Sequence, residues 1–240
     1  MAVEIIDSNT LFGFWPKRKA DISLDTLLRL MEEKQIGRAF TLSARGIFYD
    51  FVKGNDETLS ACREHPQLFP VGTLNPARWI DCLDEARRLI DHGVRLFRFF
   101  PQYQEWNTGQ SPFRKLLHDV LAPGGVGLMI PAEMGITAIG ELAKQVDNPI
   151  IIEAFRYDKL AEAIVVMGER PNVFVETHLI NSPNFVEMLK SEVGIERLVY
   201  GSYAPLAYMD AAIAPIDYAL VSGEDKALVF GGNVRRILEV

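Results

Sequence analysis

The stretch Glu4-Ile5-Ile6-Asp7-Ser8-Asn9-Thr10-Leu11 is a short, β-branched apolar run that gives way to polar residues. Runs of this kind recur at about residues 3 to 7, 38 to 42, 69 to 74, 94 to 99, 126 to 130, 149 to 154, 172 to 177 and 197 to 201, and each reads as a strand. The segments between them repeat at helical spacing. Leu24, Leu27, Leu28 and Met31 recur through Leu24 to Lys34, and Ile80, Leu83, Ala86, Leu89 and Ile90 through Trp79 to His92. Gly37, Gly93 and Gly194 follow periodic segments and Pro66 and Pro171 precede strands, the expected punctuation of such units. An open doubly wound sheet would show the same alternation with about five or six strands. Eight strands predict a closed α/β barrel, a (β/α)8 TIM barrel, as one domain over residues 1 to 240.

Composition agrees with one large core. Of the 240 residues, 48% are hydrophobic and 24% charged. The net charge of −7 and the lack of a basic run exclude nucleic acid and an anionic membrane surface as partners. They leave room for an anionic small molecule, because a few inward arginines override net charge locally. Cys62 and Cys82 lie in polar, helix-like stretches, so neither a disulfide framework nor a thiolate metal site is expected. No window approaches 18 apolar residues and no leader pattern opens the chain. The expectation is a cytoplasmic protein that spans no membrane.

In a barrel of this kind the chemistry sits where the C-terminal strand ends meet. Glu176 and His178 share a strand face, since residues two apart do so. There the carboxylate would orient or charge the imidazole as an acid/base pair; the plainer alternative is a hydrogen-bonded rim histidine. Glu133 is a candidate general base, or a first-turn carboxylate that favours a helix dipole. Arg98, Arg45 and Arg156 follow the fourth, second and sixth strands. Together they would clamp a carboxylate or phosphate through their planar forks, or else serve as structural salt bridges. Asp7 is expected chiefly to bond backbone at the first strand end. The aromatic segments Leu11 to Pro16, Phe48 to Phe51 and Tyr103 to Trp106 need cover from substrate, a partner chain or one another.

Several segments, in order, resemble the amidohydrolase-related family. Glu64-His65-Pro66-Gln67-Leu68-Phe69-Pro70-Val71-Gly72 resembles the family's loop into the third strand, and Gly93-Val94-Arg95-Leu96-Phe97-Arg98 its fourth strand. Val126-Gly127-Leu128-Met129-Ile130 is similar to the fifth, and Val229 to Leu238 to the closing helix. The first and last strands of that family end D-x-H-x-H and G-[ST]-D-x-P. Here Asn9 and Leu11 stand at the histidines, and Tyr203 at the aspartate of Gly201-Ser202-Tyr203-Ala204-Pro205. The fifth-strand ligand position falls on Pro131. The sixth falls on Ala154, or on Glu153 if that strand is slipped by one. The resemblance implies hydrolase chemistry on a barrel that usually holds divalent cations. The residues at those positions imply no metal and no other cofactor, since none apart from a slipped Glu153 is a competent zinc ligand. His65, His92 and His118 fall away from the predicted rim, which leaves His178 alone there. Tyr203 would hydrogen-bond a substrate oxygen or fill the emptied space, and Asn9 would join the substrate contacts.

Three functions follow as expectations. One is a metal-independent enzyme that hydrolyses an ester, lactone or amide bond of a small carboxylate, or decarboxylates it. The others are a non-catalytic ligand-binding pseudoenzyme and an assembly subunit, such as a homodimer, whose aromatic loops meet a partner.

Overall fold

A helical crossover brings each successive strand back in the same direction, so sequence neighbours pair in parallel. The computed structural model describes residues 4–240. Its strands are β1 (Ile5–Asp7), β2 (Ile36–Thr41), β3 (Leu68–Gly72), β4 (Leu96–Arg98), β5 (Gly127–Pro131), β6 (Ile150–Glu153), β7 (Val173–Glu176) and β8 (Leu198–Val199). They form one parallel sheet in sequence order, with helices between them. Every predicted strand overlaps an observed one; Val3, where the first was expected to start, lies outside the described residues. Gly37 does not end a helix. The helix Leu24–Glu33 is closed by Gln35 at φ +56°, and Gly37 already lies inside β2. The second predicted helix starts later, as Cys82–Asp91, because Asp81 is left-handed at φ +66°.

Strand periodicity sorts the buried residues into two layers. Ile6, Phe40, Val71, Leu96, Met129, Ile151, Phe174 and Val199, one from each strand, pack together inside the barrel. Val234 and Leu238, from the helix Asn233–Leu238, join that interior cluster. The alternate residues, among them Ala39, Phe97, Leu128, Ile152 and Val175, pack outward with helix residues such as Leu27, Met31, Ala86 and Leu89.

The barrel closes beyond the regular ends of β1 and β8. Ser8 N donates to Tyr200 O at 3.0 Å, Leu11 N to Ala204 O at 3.0 Å, and Tyr203 N to Asn9 O at 2.8 Å. Thr10 and Ala204 form a parallel bridge. Asp7 pins this seam, since its Oδ1 accepts from Asn9 N and Ser202 N, each at 3.0 Å. Asp7 is fully buried and its Oδ2 has no hydrogen-bond partner. Burial pushes its pKa up to about 7; the hydrogen bonds from Ser202 and Asn9 oppose this and the Glu176 charge adds to it.

The sign of the resulting pH dependence is fixed. The fold favours the neutral carboxyl, so Asp7's contribution is full below the unfolded value near 3.8 and is lost as pH rises towards 7. Asp7→Asn keeps the acceptor and removes the charge. Its stability relative to wild type is expected to improve by on the order of 2 kcal/mol between pH 5 and pH 8, read from urea unfolding at both pH values. A difference that does not change with pH would contradict this.

Candidate functional site at the barrel mouth

Parity along the strands carries the inward row upward from the apolar interior. Above Leu96 stands Arg98, above Ile151 stands Glu153, and above Phe174 stand Glu176 and then His178. Arg98, Glu153 and Glu176 are buried. Arg98 Nη2 lies 2.6 Å from Glu153 Oε2, with both side chains about 3% exposed. His178 Nδ1 lies 2.5 Å from Glu176 Oε2, and the His178 backbone N–H donates to Glu176 Oε1 at 2.7 Å. Asn9 links the pairs: its Nδ2 donates to Glu176 Oε2 at 3.0 Å and reaches Glu153 Oε2 at 3.5 Å.

Gly201 makes this arrangement fit. A Cβ there would stand 2.3 Å from Glu176 Oε1, so any side chain on that strand end would displace the carboxylate. Two non-glycine residues at the mouth, Ala154 at φ +55° and Tyr203 at φ +60°, sit in the left-handed region. Such backbone costs about 1–3 kcal/mol and tends to collect at functional sites.

Electrostatics couple the groups. Burial raises the Glu153 pKa, with the Arg98 charge and hydrogen bond opposing. For His178, burial works against the imidazolium, but the charge and hydrogen bond of Glu176 outweigh it with help from Glu153. The imidazole pKa is held above its ordinary 6.5. Arg98 still has unpaired N–H donors, because Nε and Nη1 are buried without partners. Its Cζ lies 4.8 Å from the Phe100 ring centre and 5.1 Å from that of Tyr203. Tyr203 stacks on His178 at 5.1 Å.

Aromatic rings gather beside this cluster. Trp15 meets Phe48 at 4.8 Å, Tyr103 at 5.5 Å and Tyr203 at 6.3 Å between centroids, all edge-on. Trp15, Phe48 and Tyr103 therefore cover one another, one of the alternatives expected for these loops, whereas Phe14 and Tyr49 stay exposed. Burial raises the phenol pKa values of Tyr103 and Tyr203, which keeps both neutral. A cavity of about 240 Å3 opens alongside, lined in part by Phe48, Tyr49, Asn75, Arg78, Tyr103 and Glu105.

The sequence candidates divide between this cluster and the surface. Arg98, Glu176, His178, Asn9 and Tyr203 come together, and Asp7 lies at the seam beside them. The three-arginine clamp does not assemble. Arg45 is exposed in the helix Arg45–Phe48 and pairs with Glu57 at 2.7 Å, and Arg156 is exposed three residues past β6. Glu133 is exposed on the turn Ala132–Met134, although its charge is felt by Tyr103. The sixth strand carries Glu153 inward and leaves Ala154 in the following turn, so the slipped register is the one observed. Leu11 and Pro131 are buried, while His65, His92 and His118 lie at helix ends or within a helix before β3, β4 and β5. Cys62 and Cys82 are free thiols.

No family model matches the sequence, and no curated protein matches it. Solved structures share its architecture. 5-Carboxyvanillate decarboxylase from Sphingomonas paucimobilis superposes with a TM-score of 0.78 at 15% identity over 100% of both chains. The Novosphingobium aromaticivorans enzyme of that name, complexed with manganese and 4-hydroxy-3-methoxy-5-nitrobenzoic acid, gives 0.78 at 13% over 99% of this chain and 96% of its own. 4-Oxalomesaconate hydratase from Rhodopseudomonas palustris gives 0.76 at 12% over 98% and 95%. The chain has their barrel fold.

Manganese in one neighbour raises the question of whether this mouth fits a divalent cation. Among the described residues no group of three or more His, Cys, Asp and Glu side chains is arranged to hold one. The Glu153 carboxylate is engaged by a guanidinium and Glu176 by an imidazole and an amide. This donor set does not fit the ion. Among the described residues no helix is long and apolar enough to cross a membrane.

Removing one partner of a buried ion pair leaves the other charge stranded, which typically costs about 3–5 kcal/mol. Arg98→Met is expected to lose about that much, with a smaller loss when Glu153→Gln is already present, as read from a double-mutant cycle in urea. A loss under about 1 kcal/mol, the value of an exposed pair, would contradict the geometry.

Proposed function

We propose that this chain is an enzyme of amidohydrolase type that decarboxylates a small carboxylated compound, using Arg98, Glu176 and His178 and no resident metal. One observation carries the reading: Arg98 presents two unpaired N–H donors, Nε and Nη1, within a buried cluster that also holds the Glu176–His178 pair. Buried guanidinium donors call for an acceptor, and a carboxylate matches their planar fork. Glu153 holds the third guanidinium nitrogen and so fixes the plane of the fork.

In this reading the substrate carboxylate, or an adjacent oxygen, accepts from Arg98 while the reacting carbon lies near His178. Glu176 keeps the imidazole charged and aimed. As the C–C bond breaks, its electrons stay on the substrate carbon, carbon dioxide leaves, and that carbon takes a proton from the imidazolium. Solvent then restores the proton. The aromatic cover favours decarboxylation over hydrolysis, because rings packed beside the cluster weaken carboxylate solvation. Decarboxylases among the barrels of like fold support the same class. Glu133, Arg45 and Arg156, exposed near the rim, belong to substrate entry rather than to proton transfer here, and Asn9, Asp7 and Tyr203 to the binding floor. The ring cover also favours a second reading, a carboxylate-binding protein without turnover, which shares the Arg98 contact.

A thermal-shift screen of small carboxylates that includes 5-carboxyvanillate, followed by a carbon dioxide release assay, tests both. His178→Ala is expected to lower turnover by about 10²–10⁴-fold with binding retained. Rate is expected to fall as pH rises through the raised imidazole pKa, because the charged form is the donor. Glu176→Gln is expected to move that fall to lower pH. Binding without release in wild type would favour the second reading. Binding unchanged in Arg98→Lys and Arg98→Met would sink both.

A further inference from the structure

The two unpaired N–H donors of Arg98 lie out of reach of anything in solution: Nε and Nη1 are buried, and the whole side chain is about 3% exposed. A carboxylate therefore meets them only after part of the cover moves. Phe100 and Tyr203 flank the guanidinium, with ring centres 4.8 Å and 5.1 Å from Cζ. Tyr103 spans these two rings, stacked on Phe100 at 6.5 Å and with its phenol interacting with that of Tyr203. It lies close enough to Arg98 and Glu153 to feel both charges. Of the three rings, Tyr103 is the one free to leave. Phe100 is buried in the barrel interior. Tyr203 is stacked on His178, and its backbone N–H is tied to Asn9 O in the seam that closes the barrel. Tyr103 is half-buried on the short helix Pro101–Gln104, with Lys17 over its ring at 4.8 Å. It also has somewhere to go. Its ring forms one wall of the cavity of about 240 Å3, which Phe48, Asn75, Ala77 and Arg78 help to line. A cavity of about 150 Å3 takes up benzene, so the phenol ring fits there by volume, with the polar groups of Asn75 and Arg78 beside its hydroxyl.

We propose that Tyr103 is the gate of this site: its ring swings away from Tyr203 into the adjoining cavity, and a substrate carboxylate passes the vacated position to reach Arg98. The cavity is then where the ring rests when the gate is open, and not itself the route. One ring's width sets the opening, so Tyr103 also limits the size of the carboxylate admitted. The proposal rests on the reading of Arg98 as the carboxylate contact, since it names the movement that must precede that contact. Its test requires no substrate, so an immobile Tyr103 and an absence of turnover are told apart.

The probe is phenylglyoxal, an arginine-selective dicarbonyl, whose adducts at Arg98 and at the exposed Arg114 are followed in the same sample by peptide mass spectrometry. An open state populated at about 0.1–10% makes wild-type Arg98 react about 10–10³-fold more slowly than Arg114. Tyr103→Ala leaves the gate open and is expected to speed Arg98 by about 10-fold or more with Arg114 unchanged. Ala77→Trp, at an exposed position on the cavity wall, fills the place the ring would take and is expected to slow Arg98 several-fold. In the Tyr103→Ala background the same Ala77→Trp change is expected to have no effect, because no ring remains to be received. An Arg98 rate unchanged in Ala77→Trp would overturn the proposal, whether or not Tyr103→Ala folds. So would slowing by Ala77→Trp that persists in the Tyr103→Ala background, since the cavity would then be the route itself. Wild-type Arg98 reacting as fast as Arg114, or no Arg98 adduct in either wild type or Tyr103→Ala, would overturn it equally.

Discussion

Glu153 and Glu176 share the mouth of one barrel, both buried, and the surrounding structure answers that constraint. Arg98 approaches one carboxylate, His178 the other, and Asn9 reaches both. Charge balance is therefore local and internal. The interior below these groups is a ring of eight apolar side chains, one per strand, which offers no alternative polar partner. Burial strengthens every interaction in the network and equally raises the cost of losing any member.

Backbone features that look incidental elsewhere acquire a reason beside this network. Gly201 is small because Glu176 occupies the space where its Cβ would be. Tyr203, in the left-handed region, brings a ring against both His178 and Arg98. The residues that close the barrel, Ser8 to Leu11 against Tyr200 to Ala204, are also those that deliver Asn9 and Tyr203 to the mouth. Closure of the fold and assembly of the site thus use the same hydrogen bonds. Asp7, holding both Asn9 N and Ser202 N, is the point at which the two are joined.

Much of this was legible in the residues. The eight strands could be read because each is a short apolar run bounded by periodic helices, and Arg98, Glu176 and His178 could be placed because strand parity is rigid to the last paired residue. Parity stops where pairing stops. Arg45 begins a new helix and turns to Glu57, and Arg156 lies beyond β6, so rim position alone did not bring them inward. Three successive isoleucines precede Glu153 with no polar alternation to fix register, which left the sixth strand open by one residue until its pairing with β5 and β7 was seen. The aromatic cover joins residues nearly 190 positions apart, Trp15 to Tyr203. No local pattern announces such a meeting, although the need of those exposed-looking rings for cover was itself readable.

The account rests on the Arg98 guanidinium as the counter-charge that Glu153 meets at the barrel mouth. Diffraction from crystals grown with Mn²⁺, recorded for anomalous signal from manganese, examines that position directly. The account predicts continuous density for the Arg98 guanidinium against Glu153 and no anomalous peak at the mouth. A peak bridging Glu153 and Glu176, with Arg98 turned aside, would contradict it.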